Sequence, residues 1–246
     1  MLNRSNRVRK IERVRYELMR RTLTVLANEC PTPGFVRLTL GGADLASFQS
    51  RGFDDHIKVF VPVAGEDEPL KRDYTPRSFD TSRCELVLEF ALHEGGLVGE
   101  YAKSLNVGDS FSIGGPKGSM VISNDYDWFW LVGDSSSLPA IHRKVEELEP
   151  GQRAVILVQL DDAADERMPA SRGDVEVHWV RSREQLLQLA RELPLPAGEG
   201  FVWAGGEGVA MTELRRIVAD EKGVDPADTR ISAYWKQGHR GYSDKG

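Results

Sequence analysis

Cysteine is nearly absent from this chain: two in 246 residues, Cys30 and Cys84, far apart and outside any Cys-x-x-Cys spacing. That excludes a disulfide framework and a cysteine-built zinc site, and leaves two ordinary reduced thiols. Histidine is scarce as well. His56, His142, His178 and His239 show no ligand spacing, and no Ser/His/Asp or Cys/His arrangement stands out, so nucleophilic catalysis is not the expected mode. No run of about 18 apolar residues occurs, so no membrane span is expected. The N-terminus lacks the apolar centre of a secretory signal, which places the expected location in the cytoplasm. The G-x-G-x-x-G dinucleotide fingerprint is also missing.

The net charge of -6 hides an asymmetry. Arg4, Arg7, Arg9, Lys10, Arg13, Arg15, Arg20 and Arg21 crowd the N-terminus, whereas acids accumulate later, as from Asp161 to Glu166. A nucleic-acid partner would call for a pI above about 9 and an aromatic-plus-basic surface. The pI is near 5.5 and no such surface follows, so no nucleic-acid partner is expected. The basic stretch reads as a solvated arm able to attract anionic ligands.

Two grammars divide the chain. Up to about residue 123, short alternating runs (Val36–Leu40, Ile57–Val61, Glu85–Phe90, Ser110–Ile113) are separated by Gly and Pro turns, which predicts an antiparallel β-barrel. One helix is expected within it, from near Gly99 to about Leu105. From Trp128 onward the strands are continuously apolar: Trp128–Val132, Val155–Val158 and Phe201–Ala204. Such strands belong to a sheet covered on both faces. Helical periodicity at Leu138, Ile141, Val145 and Leu148, at Leu186, Leu189, Ala190 and Leu193, and at Met211, Leu214, Ile217 and Val218 completes a doubly wound α/β half. The expected domains are 1–125 and 126–246, divided at the polar stretch Asn124–Asp127.

The most informative segment is Lys71-Arg72-Asp73-Tyr74-Thr75-Pro76-Arg77. On an extended chain Arg72 and Tyr74 share one side, while Asp73, Thr75 and Arg77 take the other. Arg offers a permanent charge, Tyr a stacking surface and Thr a hydroxyl, a set suited to a flat anionic cofactor. Pro76, without an N–H, is expected to end the pairing. Downstream, His93-Glu94-Gly95-Gly96 joins a strand to a helix with two glycines that let backbone N–H groups approach a pyrophosphate. Gly114–Ser119 is a glycine-rich turn carrying one cation, Lys117, with phosphate contact and plain turn equally good readings. Gly133–Ser137 and Gly205–Gly208 lie at strand C-termini, where α/β domains bind ligands, although Ser135, Ser136 and Ser137 equally suit a helix cap. Arg230–Lys236 reads as a late strand whose Tyr234 or Trp235 could cover a ring.

Five motifs in order, Asp54–Phe60, Arg72–Arg77, His93–Gly96, Gly115–Ser119 and Tyr234-Trp235, resemble the siderophore-interacting proteins, which are FAD-dependent ferric-siderophore reductases. The resemblance runs from about Arg20 to Lys236. It implies a ferredoxin-reductase-like fold, an FAD-binding barrel followed by an α/β domain for NADPH or NADH. It also implies that Arg72, Asp73, Tyr74, Thr75, His93, Gly95, Gly96, Lys117, Gly118 and Ser119 line the FAD site. Asp134, Gly205, Glu207, Tyr234 and Trp235 would serve the cofactors from the second half. Lys58, Arg230 and Lys236 would meet an anionic ferric siderophore. No catalytic side chain is required for electron transfer, and none is assigned. The chain departs from the family's usual pattern at Gly99-Glu100-Tyr101, where a hydroxyl is lost, and at Gly133–Ser137, where Gly-Asp-Glu-Thr is usual. The implied function is flavin-dependent reduction of chelated Fe(III), with ferredoxin as an alternative donor to the nucleotide. A general flavin or ferredoxin reductase and a non-catalytic siderophore-binding protein are the competing expectations.

Overall fold

The computed structural model describes residues 11–93 and 95–239. The first ten residues of the basic arm, Glu94 of the glycine loop and residues 240–246 of the polar tail lie outside the described residues.

The first half holds β1 (Ile11–Arg15), β2 (Arg20–Thr32), β3 (Phe35–Gly41), β4 (Ile57–Val61), β5 (Leu70–Tyr74), β6 (Pro76–Asp80), β7 (Glu85–Ala91), α1 (Leu97–Ser104), β8 (Ser110–Gly114) and β9 (Gly118–Ile122). Seven strands form one sheet in the order β5-β4-β8-β2-β3-β7-β6, every pairing antiparallel. Its two edges, β5 and β6, are consecutive in the chain with Thr75 alone between them. That link brings the edges together and curls the sheet into a barrel-like shell. Alternate residues fill the interior, among them Leu38, Leu40, Val59, Leu88, Phe90, Phe111 and Ile113.

The second half holds β10 (Trp128–Asp134), α2 (Leu138–Glu147), β11 (Arg153–Gln159), β12 (Asp174–Val180), α3 (Arg183–Glu192), β13 (Gly200–Glu207), α4 (Gly208–Arg216) and β14 (Thr229–Trp235). The sheet order is β12-β11-β10-β13-β14, wholly parallel. On β10, Phe129 and Leu131 pack with Leu138, Ile141 and Val145 of α2, while Trp128, Trp130 and Val132 pack with Leu186 of α3 and Met211 and Leu214 of α4. Both faces are covered, so the strand must be apolar throughout. The antiparallel shell and the doubly wound sheet are those the strand grammar predicts.

Local expectations need correcting. Pro76 opens β6 instead of ending the pairing, because a first-position proline needs no N–H and pairs opposite Leu88. The short helix is Leu97–Ser104, starting two residues ahead of the expected Gly99 and ending one short of Leu105. The basic arm is structural over its described part: β1 pairs with β9, and Arg21 is only 4% exposed, donating to the carbonyls of Asp44 and Gly115. Arg21 occupies an inward place on β2, which disguises the alternation of that strand. No described helix is long and apolar enough to cross a membrane.

Candidate functional site

β5 carries its functional side chains on an open sheet edge. The ring of Tyr74 lies 4.6 Å from that of Phe90 on β7, so the two ends of the shell meet at this aromatic pair. Burial pushes the Tyr74 hydroxyl above its ordinary pKa, against the opposing pull of Arg72, so the phenol stays neutral. Arg72 makes no ion pair among the described residues; its Nη1 donates to the Lys71 carbonyl at 2.8 Å. Thr75 is buried where the edges join.

Beside this edge runs the turn from β7 to α1. A Cβ on Gly96 would stand 2.9 Å from the His93 ring, so the imidazole packs against bare backbone. Gly95 has φ +73, and nothing lies within 4 Å of where its Cβ would be. The turn therefore presents an open, side-chain-free stretch at the amino end of α1. A charged edge, an aromatic face and an open glycine turn suit the isoalloxazine and pyrophosphate of FAD.

Two further residues expected at that cofactor, Ser119 and Asp73, have their side-chain polar groups engaged by the protein. Ser119 bonds to Tyr16 (2.7 Å), Asp55 (2.5 Å) and the Arg51 N–H (3.0 Å). A Cβ on Gly118 would fall 2.2 Å from the Val14 carbonyl, so glycine is needed there for the close approach of β1. Asp73 pairs with Lys58 at 2.5 Å across β4 and β5. Lys117 is exposed at the turn, where its carbonyl accepts from the Tyr16 N–H.

The strand order reverses between β10 and β13, and the C-terminal ends there form a crevice of the kind that binds ligands. Asp134, from β10, is buried and holds four groups. Oδ1 accepts from the Ser136 N–H (2.9 Å) and hydroxyl (2.5 Å), and Oδ2 accepts from the Glu207 N–H (2.9 Å) and the Trp235 indole N–H (2.9 Å). Burial raises its pKa, the hydrogen bonds only partly opposing. Asp134 is thus itself the cap of the Ser135–Ser137 turn. Glu207 caps α4 through Oε2, which accepts from Val209 and Ala210 N–H. Gly205 is required because a Cβ would meet the Tyr234 ring at 2.9 Å.

Asp134 and Glu207 line a cleft of about 300 Å³ with Gln159, Arg181, Ser182, Arg183, Met211 and Trp235. The two arginines, at the end of β12, were not singled out by sequence; Ser182 capping α3 is the signal that fixes them at a strand end. Arg181 pairs with Glu166, and Arg183 is 43% exposed with Glu184, at 3.4 Å, its one ion-pair partner among the described residues.

Tyr234 lies on β14 beside Trp203, whose indole reaches the first half at Asp54. Its ring packs edge-on against Trp203, and the charges of Asp54, Arg230, Asp134 and Asp73 all act on its hydroxyl, which burial raises well above the usual tyrosine pKa. Two of the three cations expected at the substrate come with carboxylates: Lys58 with Asp73, and Arg230 with Asp54 at 2.6 Å. Asp54 also accepts from the Trp203 indole N–H at 2.8 Å, so Arg230 works in the contact between halves. Lys236 lies apart from them, beside the start of α4 with Val209 and Thr212.

Residues 126–238 match the siderophore-interacting protein family, and residues 24–70 and 63–120 match its siderophore-interacting FAD-binding domain. The chain is 35% identical to the NADPH-dependent ferric-chelate reductase of Escherichia coli K12, over 94% of this chain and 98% of that one. The chain belongs to the siderophore-interacting protein family. The ferric vibriobactin reductase ViuB of Vibrio cholerae is 26% identical over 89% of this chain and 90% of its own. A siderophore utilization protein from T. fusca superposes with a TM-score of 0.87 at 30% identity, covering 94% of this chain and 99% of that one. The siderophore-interacting protein SipS of Aeromonas hydrophila gives 0.80 at 26%, covering 90% and 93%.

Proposed function

We propose that this protein is an FAD enzyme that takes a hydride from NADPH and delivers single electrons to Fe(III) held by a siderophore. The observation that carries the proposal is the path of β14 between the two sites: its Arg230 pairs with Asp54 of the first half at 2.6 Å, and its Trp235 donates to Asp134 in the strand-end cleft at 2.9 Å. A donor and an acceptor of hydride must come into contact, and this arrangement lets them.

The β5 edge and the glycine turn hold the flavin. Tyr74 offers a neutral ring to its face, Arg72 a charge to its phosphates, and Gly95-Gly96 bare N–H groups at the start of α1. The chemistry FAD supplies when bound is the conversion of a two-electron hydride into single-electron transfers, so two Fe(III) chelates are reduced per nucleotide oxidised. Fe(II) binds hard-oxygen chelators less tightly and leaves.

The cleft is electrically polarised. Asp134 and Glu207 make the β10/β13 end acidic, and both cap backbone N–H groups that would otherwise attract phosphate. Arg181 and Arg183 make the β12 end basic. A nicotinamide ring, cationic once its hydride has left, suits the first end and a phosphate the second, so the nicotinamide would lie toward Trp235 and the adenosine 2′-phosphate toward Arg181, Ser182 and Arg183. This polarity favours NADPH over NADH, and a nucleotide over ferredoxin, as donor. At the acceptor side Lys58, paired but 40% exposed, and Lys117 attract the anionic chelate.

The test is anaerobic spectroscopy of the purified protein. Flavin bands should bleach on NADPH and recover on a ferric siderophore, two chelates per NADPH. Bands that never bleach, or recover only with artificial dyes, would count against the proposal.

A further inference from the structure

The Glu207 carboxylate is only half used. Oε2 caps α4, whereas Oε1 is buried without a hydrogen-bond donor among the described residues. A buried acceptor left unpaired is costly, and a site keeps one where a ligand supplies the donor. Glu207 lines the strand-end cleft, fixed there by its own N–H to Asp134 and by its cap on the helix. Asp134 has no such spare capacity toward the cleft, because each of its oxygens already accepts two hydrogen bonds.

The inference rests on the reading of this cleft as the pyridine-nucleotide site, with the pyridine at its acidic end. The pyridine ring of a nicotinamide nucleotide carries one neutral group with N–H donors, the 3-carboxamide. We propose that Glu207 Oε1 accepts that carboxamide N–H, making Glu207 the residue that selects a carboxamide over a carboxylate on the bound pyridine. A site built around an unpaired acceptor rejects a ligand that brings a second acceptor, more strongly when both are charged.

The experiment is equilibrium dialysis of the flavin-loaded protein against NADP⁺ and against its nicotinic-acid analogue, in which a carboxylate replaces the carboxamide. Three proteins are compared: wild type, E207Q and E207S. Gln caps α4 with its carbonyl oxygen and turns an NH₂ to the cleft; Ser caps α4 and leaves the ring without a charged neighbour from this position. The wild type should prefer NADP⁺ by about tenfold or more. E207S should bring the ratio close to one, and E207Q to one or below. Because the ratio compares two ligands on one protein, a general weakening of the fold cancels. A wild-type ratio near one, or the wild-type ratio kept in both variants, overturns the role of Glu207 while leaving the cleft as the nucleotide site. Failure of the wild type to bind either nucleotide overturns the cleft assignment, and the inference with it.

Discussion

The guanidinium of Arg143, on α2 of the parallel-sheet half, donates to the main-chain carbonyl of Pro76 at 3.1 Å. It also donates to the hydroxyl (3.0 Å) and carbonyl (3.2 Å) of Ser50. Next to it, Arg77 forms a two-pronged pair with Glu146, both bonds 2.7 Å. The strand edge carrying Arg72, Tyr74 and Thr75 is therefore fixed by a helix of the other half. Replacing Arg143 with Ala strands several buried acceptors, and is expected to cost about 2–4 kcal/mol and to loosen flavin binding. R143K, a single point charge, should recover only part of both. Thermal melts with flavin retention on gel filtration measure this; an unchanged melt would remove Arg143 from the account.

Tyr74 is assigned a face, not a proton. Y74F should therefore retain flavin nearly as the wild type does, while Y74A should release it during purification, with a loss of about tenfold or more in affinity from lost ring contact. The ratio of flavin absorbance to protein absorbance reads this directly. A Y74F protein as empty as Y74A would mean that the hydroxyl is what matters.

Arg183 is the freer of the two arginines at the end of β12. R183A should lower kcat/KM with NADPH by about tenfold, the worth of one charge-assisted contact, and leave NADH nearly unaffected. Equal losses with both nucleotides would place the 2′-phosphate elsewhere.

His142 is buried on α2, with its Nε2–H donating to the Arg167 carbonyl at 3.0 Å. Burial, helped by the nearby Arg167 and Arg77 charges, lowers its pKa to about 4. Its ordinary value is 6.5, so the unfolded chain binds this proton more readily than the folded one. The stabilisation is complete above about pH 6.5 and is lost as pH falls toward 4, by up to about 3 kcal/mol from this group. Denaturation midpoints between pH 7 and 4 should show that decline in the wild type and a shallower one in H142Q; parallel curves would contradict it.

The two halves of the fold were legible because each obeys a period. Alternation at Val36–Leu40 or Ile57–Val61 is what a one-sided sheet demands, and the unbroken apolar run of Trp128–Val132 is what a two-sided sheet demands. The reading failed where a polar residue sits at an inward place, as with Arg21 on β2, or where an edge strand stays half exposed, as with β12. The β5 motif could be recognised since its residues are neighbours in one strand. The arginines at the end of β12 could not, because only strand order puts them in the same cleft as Asp134 and Glu207.

By itself the sequence determined what local chemistry determines: two kinds of sheet, a charged aromatic strand, a glycine turn at a helix start, and the family those motifs share. Tertiary structure decided which cations are free. Lys58, Arg77, Arg143, Arg181 and Arg230 look alike along the chain, but each finds a carboxylate, a carbonyl or both far away in sequence. It also decided that Glu207 keeps an oxygen to spare. A charge's availability depends on what lies within a few ångströms, and that neighbourhood is assembled by folding.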